Sequence, residues 1–229
     1  MSDADQIDTP PWGEPGPERQ RLFNAPWPIV GVPLLLIGLY GLQSTLLTDA
    51  VFDHWGLTPA ALTQGRPWVL VTSLFLHGGW VHVLMNSVAI LAFGSPAARL
   101  MGTDARGATV FFAFYLACGV LAGLGFVAAD PGDVAPVVGA SGAASGLLGA
   151  ASRLIEGRGR IGPMFGSTVL GMGLAWAIAN VVFGVSGLTP GAAGMPVAWQ
   201  AHLAGYLAGV LLIGPFARLA GRGAEVFTQ

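Results

Sequence analysis

The sequence predicts an all-α, polytopic membrane protein, a bundle of six transmembrane helices. Three observations carry that prediction. The 229-residue chain is 53% hydrophobic and only 10% charged, whereas a soluble domain carries about 25% charged residues. Its apolar residues gather into six segments, near 28–48, 80–101, 108–129, 138–155, 164–186 and 198–219, most of them close to the ~20 residues that cross a bilayer. Its ten basic residues are all Arg, and they alternate between the two sides with every crossing.

Residues 1–27 stand apart as an N-terminal tail. They hold five acids (Asp3, Asp5, Asp8, Glu14, Glu18) and five prolines, a composition that cannot bury a core and is expected to be disordered. No short apolar run with a small-residue cleavage site follows a basic start, so the tail does not read as a signal peptide. A membrane-embedded domain is expected over 28–220, followed by a short tail, 221–229. Between the first and second spans lies a loop of about thirty residues, 49–79. It is too long for a simple connector. It is also rich in apolar residues (Val51, Phe52, Trp55, Leu57, Trp68, Leu70, Phe75), which places it partly in the membrane interface, where Trp is favoured. The fourth span is short and rich in Gly, Ala and Ser.

The arginines orient the bundle. Arg19 and Arg21 precede span one, Arg99 and Arg106 flank the turn after span two, Arg153, Arg158 and Arg160 lie between spans four and five, and Arg218 and Arg222 follow span six. Only Arg66 falls on the opposite side. Nine against one is a strong positive-inside signal, with both termini cytoplasmic. The same composition excludes other classes. A net charge of −2 with no basic patch argues against nucleic-acid binding. Cys118 is the one cysteine, so no intramolecular disulfide and no Cys/His metal cluster is expected, and the sequence implies no cofactor.

Ionisable residues inside a membrane default to a functional reading. Three of the four histidines, His77, His82 and His202, fall in or beside apolar segments. The alternative is an ordinary interhelical hydrogen bond or a place at the headgroup level. Topology brings His82, Asn86, Ser141 and His202 to a similar depth, one to two turns below the outer surface. His82 and Asn86 are four apart and share a helix face. Gly142, Gly146 and Ala150 recur every four residues on span four, as do Ala201, Gly205 and Gly209 on span six. Such small-residue faces permit close backbone contact, which could bring Ser141 and His202 together. A Ser–His pair is the minimal activated nucleophile, although small-residue packing alone would also explain Ser141. Ser141 follows Gly139 at the start of a helix, where free backbone N–H groups favour a developing oxyanion. His82 and Asn86 could complete an oxyanion hole. No carboxylate lies inside a span, which leaves a dyad; Asp133, eight residues before Ser141, is a weak candidate for an orienting acid.

Rival chemistries fit less well. There is no HExxH for a zinc peptidase, no pair of buried Asp for an aspartyl enzyme, and no repeated halves with buried acids for a proton-coupled transporter. A carrier of small polar solutes stays open on the His and Asn cluster alone.

Three motifs in order, His77-Gly-Gly-Trp-Val-His82-Val-Leu-Met-Asn86, Gly139-Ala-Ser141-Gly142 and Ala201-His202-Leu-Ala-Gly205-Tyr-Leu-Ala-Gly209, resemble the rhomboid intramembrane serine proteases over roughly residues 28–220. The resemblance implies a six-helix bundle in the lipid bilayer that cleaves transmembrane segments of other proteins near the outer face. Carried over by position, Ser141 is the nucleophile and His202 its general base. His82, Asn86 and the Ser141 backbone N–H form the oxyanion hole, and His77 ties the long first loop to the bundle. The fifth span and the 187–197 loop correspond to a mobile substrate gate. Family substrates tend to have a small residue before the scissile bond and helix-weakening residues below it. The Trp199-Gln200-Ala201-His202 run is similar to bacterial members, and abundant Ala, Gly and Arg without Lys fit a GC-rich prokaryote, hence an inner membrane.

Two positions depart from the family pattern. The Trp-Arg pair frequent in the first loop is replaced by Trp68-Val69, with Arg66 two residues before. The aromatic residue often found four positions after the nucleophile is Ser145, leaving Tyr206 as a candidate support for the His202 ring. Ser145 is a rival nucleophile on paper, but it lies a turn deeper and outside the Gly-x-Ser-Gly pattern. Without a carboxylate partner His202 is expected to be a modest base and turnover slow. The alternative from another class is a rhomboid-like protein that binds transmembrane helices without cutting them.

Overall fold

The computed structural model describes residues 25–47, 50–186 and 197–222. The tail before residue 25, residues 48–49, the expected gate loop except its last residue (187–196) and the tail after 222 lie outside the described residues. Regular structure among the described residues is helical, with two isolated β-bridges and no strand.

Helix α1 (Trp27–Leu46) starts on a proline in its first turn, where the missing N–H costs nothing. The first loop is not a loop throughout. It folds into α2 (Ala50–Trp55), α3 (Pro59–Thr63), α4 (Val69–Thr72) and a 3₁₀ turn at Ser73–Phe75. Thr58 caps α3 by accepting the Ala61 N–H at 3.0 Å. The apolar content of the segment explains this order: Leu57, Ala61, Val69 and Leu74 are buried and pack with Ala122 and Phe126 or against Gly119. Trp55 and Trp68 stay exposed, as side chains bound for an interface would.

The remaining helices are α5 (Trp80–Met101), α6 (Ala105–Ala129), α7 (Ser141–Glu156), α8 (Ser167–Ser186) and α9 (Trp199–Leu219). Asp104 caps α6 by accepting the Gly107 N–H at 2.7 Å. Five helices, α1, α5, α6, α8 and α9, are long and apolar enough to cross a membrane. The chain is therefore a polytopic, all-helical membrane bundle. The sequence expects six spans, and α7 occupies the place of the fourth. At 16 residues it is only about 24 Å long, and its Gly, Ala and Ser content keeps it below the hydropathy of its neighbours.

That composition suits a central position. Every residue of α7 from Gly142 to Leu154 is buried, with α5, α6, α8 and α9 packed around it. The two small-residue faces meet as expected. A Cβ on Gly205 would strike the Gly142 carbonyl, and one on Gly209 the Gly146 carbonyl. On its other side α7 presses Gly142 against Ala122 and Gly146 against Cys118 of α6. This close approach of backbones sets the spacing between the starts of α7 and α9.

The two ends of the bundle differ. At one end Trp27 Nε1 donates to the Thr103 carbonyl (2.8 Å) and Arg106 Nε to the Leu219 carbonyl (2.9 Å). Arg153, buried near the end of α7, donates to the carbonyls of Gly162 (2.8 Å) and Val210 (2.9 Å). At the other end Gln43 grips the backbone of His77 with two bonds, 2.8 and 3.1 Å. There Leu57 pairs with Val137, and the Gly139 N–H donates to the Ser73 carbonyl at 2.9 Å. Arg66, the one arginine expected on this side, bonds the Asp53 carbonyl and Gln64, and so braces α2 against the turn into α4.

Candidate active site

Ser141 is the first residue of α7 and His202 the fourth of α9. Because glycines hold these two helices in backbone contact, Ser141 Oγ lies 2.8 Å from His202 Nε2. Sixty-one residues of chain separate them, so only the fold makes the pair. It opens on a cavity of about 670 Å³, lined by α5, α8, the 130–139 segment and the starts of α7 and α9.

His82 and Asn86, one turn apart on α5, both line this cavity. His82 Nδ1 accepts the Gly78 N–H at 3.4 Å, which leaves Nε2 to carry the hydrogen. Asn86 Nδ2 is buried and has no hydrogen-bond partner among the described residues. A buried, unpaired donor is costly unless something fills it. Both groups converge on the segment just before Ser141. A Cβ at Gly139 would lie 2.6 Å from His82 Nε2 and 3.4 Å from Asn86 Nδ2. Gly139 has φ +117°, a conformation that side-chain-bearing residues rarely adopt. It thus serves twice, in its torsion and in the space it leaves. The first backbone amides of α7, which begin two residues further on, have no partner within the helix.

The walls of the cavity are mostly apolar, with Met85, Phe93, Leu148 and Phe183 among the lining residues. Its polar lining residues include His82, Asn86, Ser141, Asn180 and His202, with Asp130 and Asp133. His77 is where its motif expects it, at the loop's anchor to the bundle, but the hydrogen bonds come from its backbone. Its ring is fully buried between Tyr40 and His82, and both ring nitrogens lack partners among the described residues.

One expectation is corrected. Tyr206 does not support His202. It points deeper, donating to the Val169 carbonyl (2.7 Å) and bonding Ser152 Oγ (3.0 Å), because residues four apart on a helix lie one turn along its axis. Trp176 of α8 takes the aromatic place instead, its ring centroid 6.1 Å from that of His202. No motif points to Asn180, one turn further along α8, whose Oδ1 contacts His202 Nδ1. Its one signal in the sequence is an Asn in an otherwise apolar span. Asp133 is engaged elsewhere, accepting the Ala135 N–H at 2.9 Å. Ser145 donates to the Ser141 carbonyl at 2.8 Å, so its hydroxyl is committed to its own helix.

A model of the rhomboid domain matches residues 64–218, about two thirds of the chain, a range that holds all three motifs. The chain belongs to the rhomboid family. Among curated relatives, it is 36% identical over 88 residues to the putative rhomboid protease YdcA of Bacillus subtilis (strain 168), covering 38% of this chain and 41% of that protein. It is 34% identical over 89 residues to the rhomboid protease GluP of the same organism, covering 39% of this chain and 16% of that one. RHOMBOID-like protein 5 of Arabidopsis thaliana is 32% identical over 87 residues, 38% of this chain and 26% of its own. The match thus spans less than half the length of each of these relatives. Within this rhomboid, the matched domain includes the α7–α9 contact that joins Ser141 to His202.

Proposed function

We propose that this rhomboid is an intramembrane serine endopeptidase that cuts transmembrane segments of other membrane proteins near the outer face of a prokaryotic inner membrane, with both its termini cytoplasmic. The observation that carries the reading is the 2.8 Å approach of Ser141 Oγ to His202 Nε2 at a mostly apolar cavity. The arginine asymmetry supports the orientation, since seven described arginines lie at or near the far end of the bundle and only Arg66 near the site. In this reading α7 also crosses the membrane, as the fourth of six spans, and its shortness sets Ser141 below the outer surface.

Ser141 Oγ attacks the carbonyl carbon of the scissile peptide bond while its proton passes to His202 Nε2. The negative charge that develops on the carbonyl oxygen is met by His82 Nε2–H, Asn86 Nδ2 and the Ser141 backbone N–H, donors already in position. The tetrahedral intermediate collapses as His202 returns the proton to the leaving amine. A water activated by the same imidazole then releases the acyl group from Ser141. A substrate helix hides its carbonyls in hydrogen bonds and must unwind locally to present one. The apolar walls suit side chains of an incoming transmembrane segment, and the donors of His82 and Asn86 suit its unwound backbone.

The test is cleavage of a model transmembrane substrate in liposomes. Wild type and Ser145→Ala should cut at comparable rates, and Ser141→Ala should not. Cleavage by Ser141→Ala would overturn the assignment.

A further inference from the structure

The contact between Asn180 and His202 fixes a proton position that the Ser141–His202 pair leaves open. A neutral imidazole carries one N–H, and the partners of its two nitrogens decide which. The Asn180 amide is oriented by its own helix. Its Nδ2 donates to the Trp176 carbonyl at 2.9 Å. That carbonyl can only accept, so the NH₂ group must lie there and Oδ1 must face His202 Nδ1. Oδ1 is also only an acceptor, so Nδ1 carries the hydrogen. Nε2 is left with its lone pair directed at Ser141 Oγ, 2.8 Å away. A general base needs that tautomer.

We propose that Asn180 is the positioning residue of the site, holding His202 in the Nδ1–H tautomer and orientation that make it a base toward Ser141. The arrangement is an amide version of the orienting third group in hydrolase triads, as in Cys-His-Asn sites. A neutral amide orients the ring without taking a proton and without placing a carboxylate inside the bundle. Asn180 is itself only 5% exposed, so water competes little for its oxygen. Its carrier matters as well. Only 11% of the α8 span is buried inside the protein, against 33–44% for the other four long spans. The group that selects the tautomer rides on the least embedded of these helices, and the base is correctly set only while α8 is packed against α9.

The proposal's effect on rate rests on the catalytic reading above, but its effect on the proton does not, and the experiment reads both. Full-length protein carrying ¹⁵N-labelled histidine is measured by NMR in bicelles, with the His202 signals assigned from their loss in His202→Gln. The labelling rate of Ser141 by a fluorophosphonate is measured in parallel. Wild type should show a protonated Nδ1 and an unprotonated Nε2 at His202. Asn180→Leu, close in size and without an acceptor, should lose that fixed pattern and label on the order of 10-fold more slowly. Asn180→Asp, which keeps the acceptor, should restore the pattern and most of the rate. Asn180→Ala repeats the test should the Leu variant fail to fold. An unchanged ¹⁵N pattern in folded Asn180→Leu or Asn180→Ala overturns the proposal, as does a folded Asn180→Asp that behaves like Asn180→Leu. Labelling that persists in Ser141→Ala would instead overturn the catalytic reading, and the ¹⁵N pattern would still decide the role of Asn180.

Discussion

Gly139→Ala should cripple the site while leaving the bundle folded. The added methyl meets two obstacles. The backbone at Gly139 has φ +117°, which costs a side-chain-bearing residue about 1–2 kcal/mol. The new Cβ would also lie 2.6 Å from His82 Nε2, so the imidazole must retreat about 0.8 Å to reach ordinary contact at 3.4 Å. His82 cannot retreat freely, because its Nδ1 is tied to the Gly78 N–H. The global loss is small, since residues 130–139 connect helices and Gly139 makes one backbone bond to the Ser73 carbonyl. The local loss is large. A displacement near 1 Å at a reacting centre costs about 100-fold, and removal of one oxyanion donor about 100- to 1,000-fold in kcat. The expected outcome is a drop in kcat of about 100-fold, with the unfolding midpoint in detergent lowered only slightly. The assay is cleavage of a transmembrane substrate in liposomes beside thermal unfolding. Gly132→Ala, in the same segment with open space around it, is the control and should match wild type. A Gly139→Ala variant within about threefold of wild-type kcat would refute the placing of His82 in the oxyanion hole.

Other outcomes follow from the same geometry. Tyr206→Phe removes the bonds to Ser152 and the Val169 carbonyl, so it should cost about 1–3 kcal/mol of stability. It should leave the cleavage rate nearly unchanged, because Tyr206 does not touch His202; a large rate loss at equal folding would contradict this. Arg153→Met strips the donors from two buried carbonyls, Gly162 and Val210, and should destabilise the bundle by about 3 kcal/mol, read by thermal unfolding. Cleavage should fall about tenfold per pH unit on the acid side, as His202 takes a proton and can no longer accept one from Ser141. A profile that stays flat down to the pH at which ¹⁵N NMR shows His202 doubly protonated would mean that His202 is not the base.

Much of this site is legible in the amino-acid sequence. The three motifs, the glycine spacing on two spans and the alternating arginines place Ser141, His202, His82 and Asn86 at one end of the bundle. These signals are local, or follow from counting crossings, and so need no knowledge of how the helices pack. Asn180 and Trp176 do need it, because their role depends on the rotation of α8 about its axis, and the hydropathy of that span is nearly uniform around the helix. Tyr206 reads as a support for His202 because a spacing of four fixes a shared face, but it does not fix a shared depth. The first loop shows a similar limit. Its apolar residues announce burial, but the short turns of α3 and α4 are held by contacts with α6, distant in sequence, and α2 packs on α4. The identity of α7 as a buried central helix shows only as a run of Gly, Ala and Ser, which by hydropathy alone is the weakest of the six segments.

The most direct test of the central claim is to locate the covalent adduct of a fluorophosphonate by peptide mass spectrometry in reconstituted protein. Reactivity toward such a probe reports the activated serine itself, independent of substrate choice. The predicted result is a single adduct on Ser141, absent from Ser141→Ala and strongly reduced in His202→Ala. An adduct on Ser145, or labelling of Ser141 that is indifferent to the loss of His202, would contradict it.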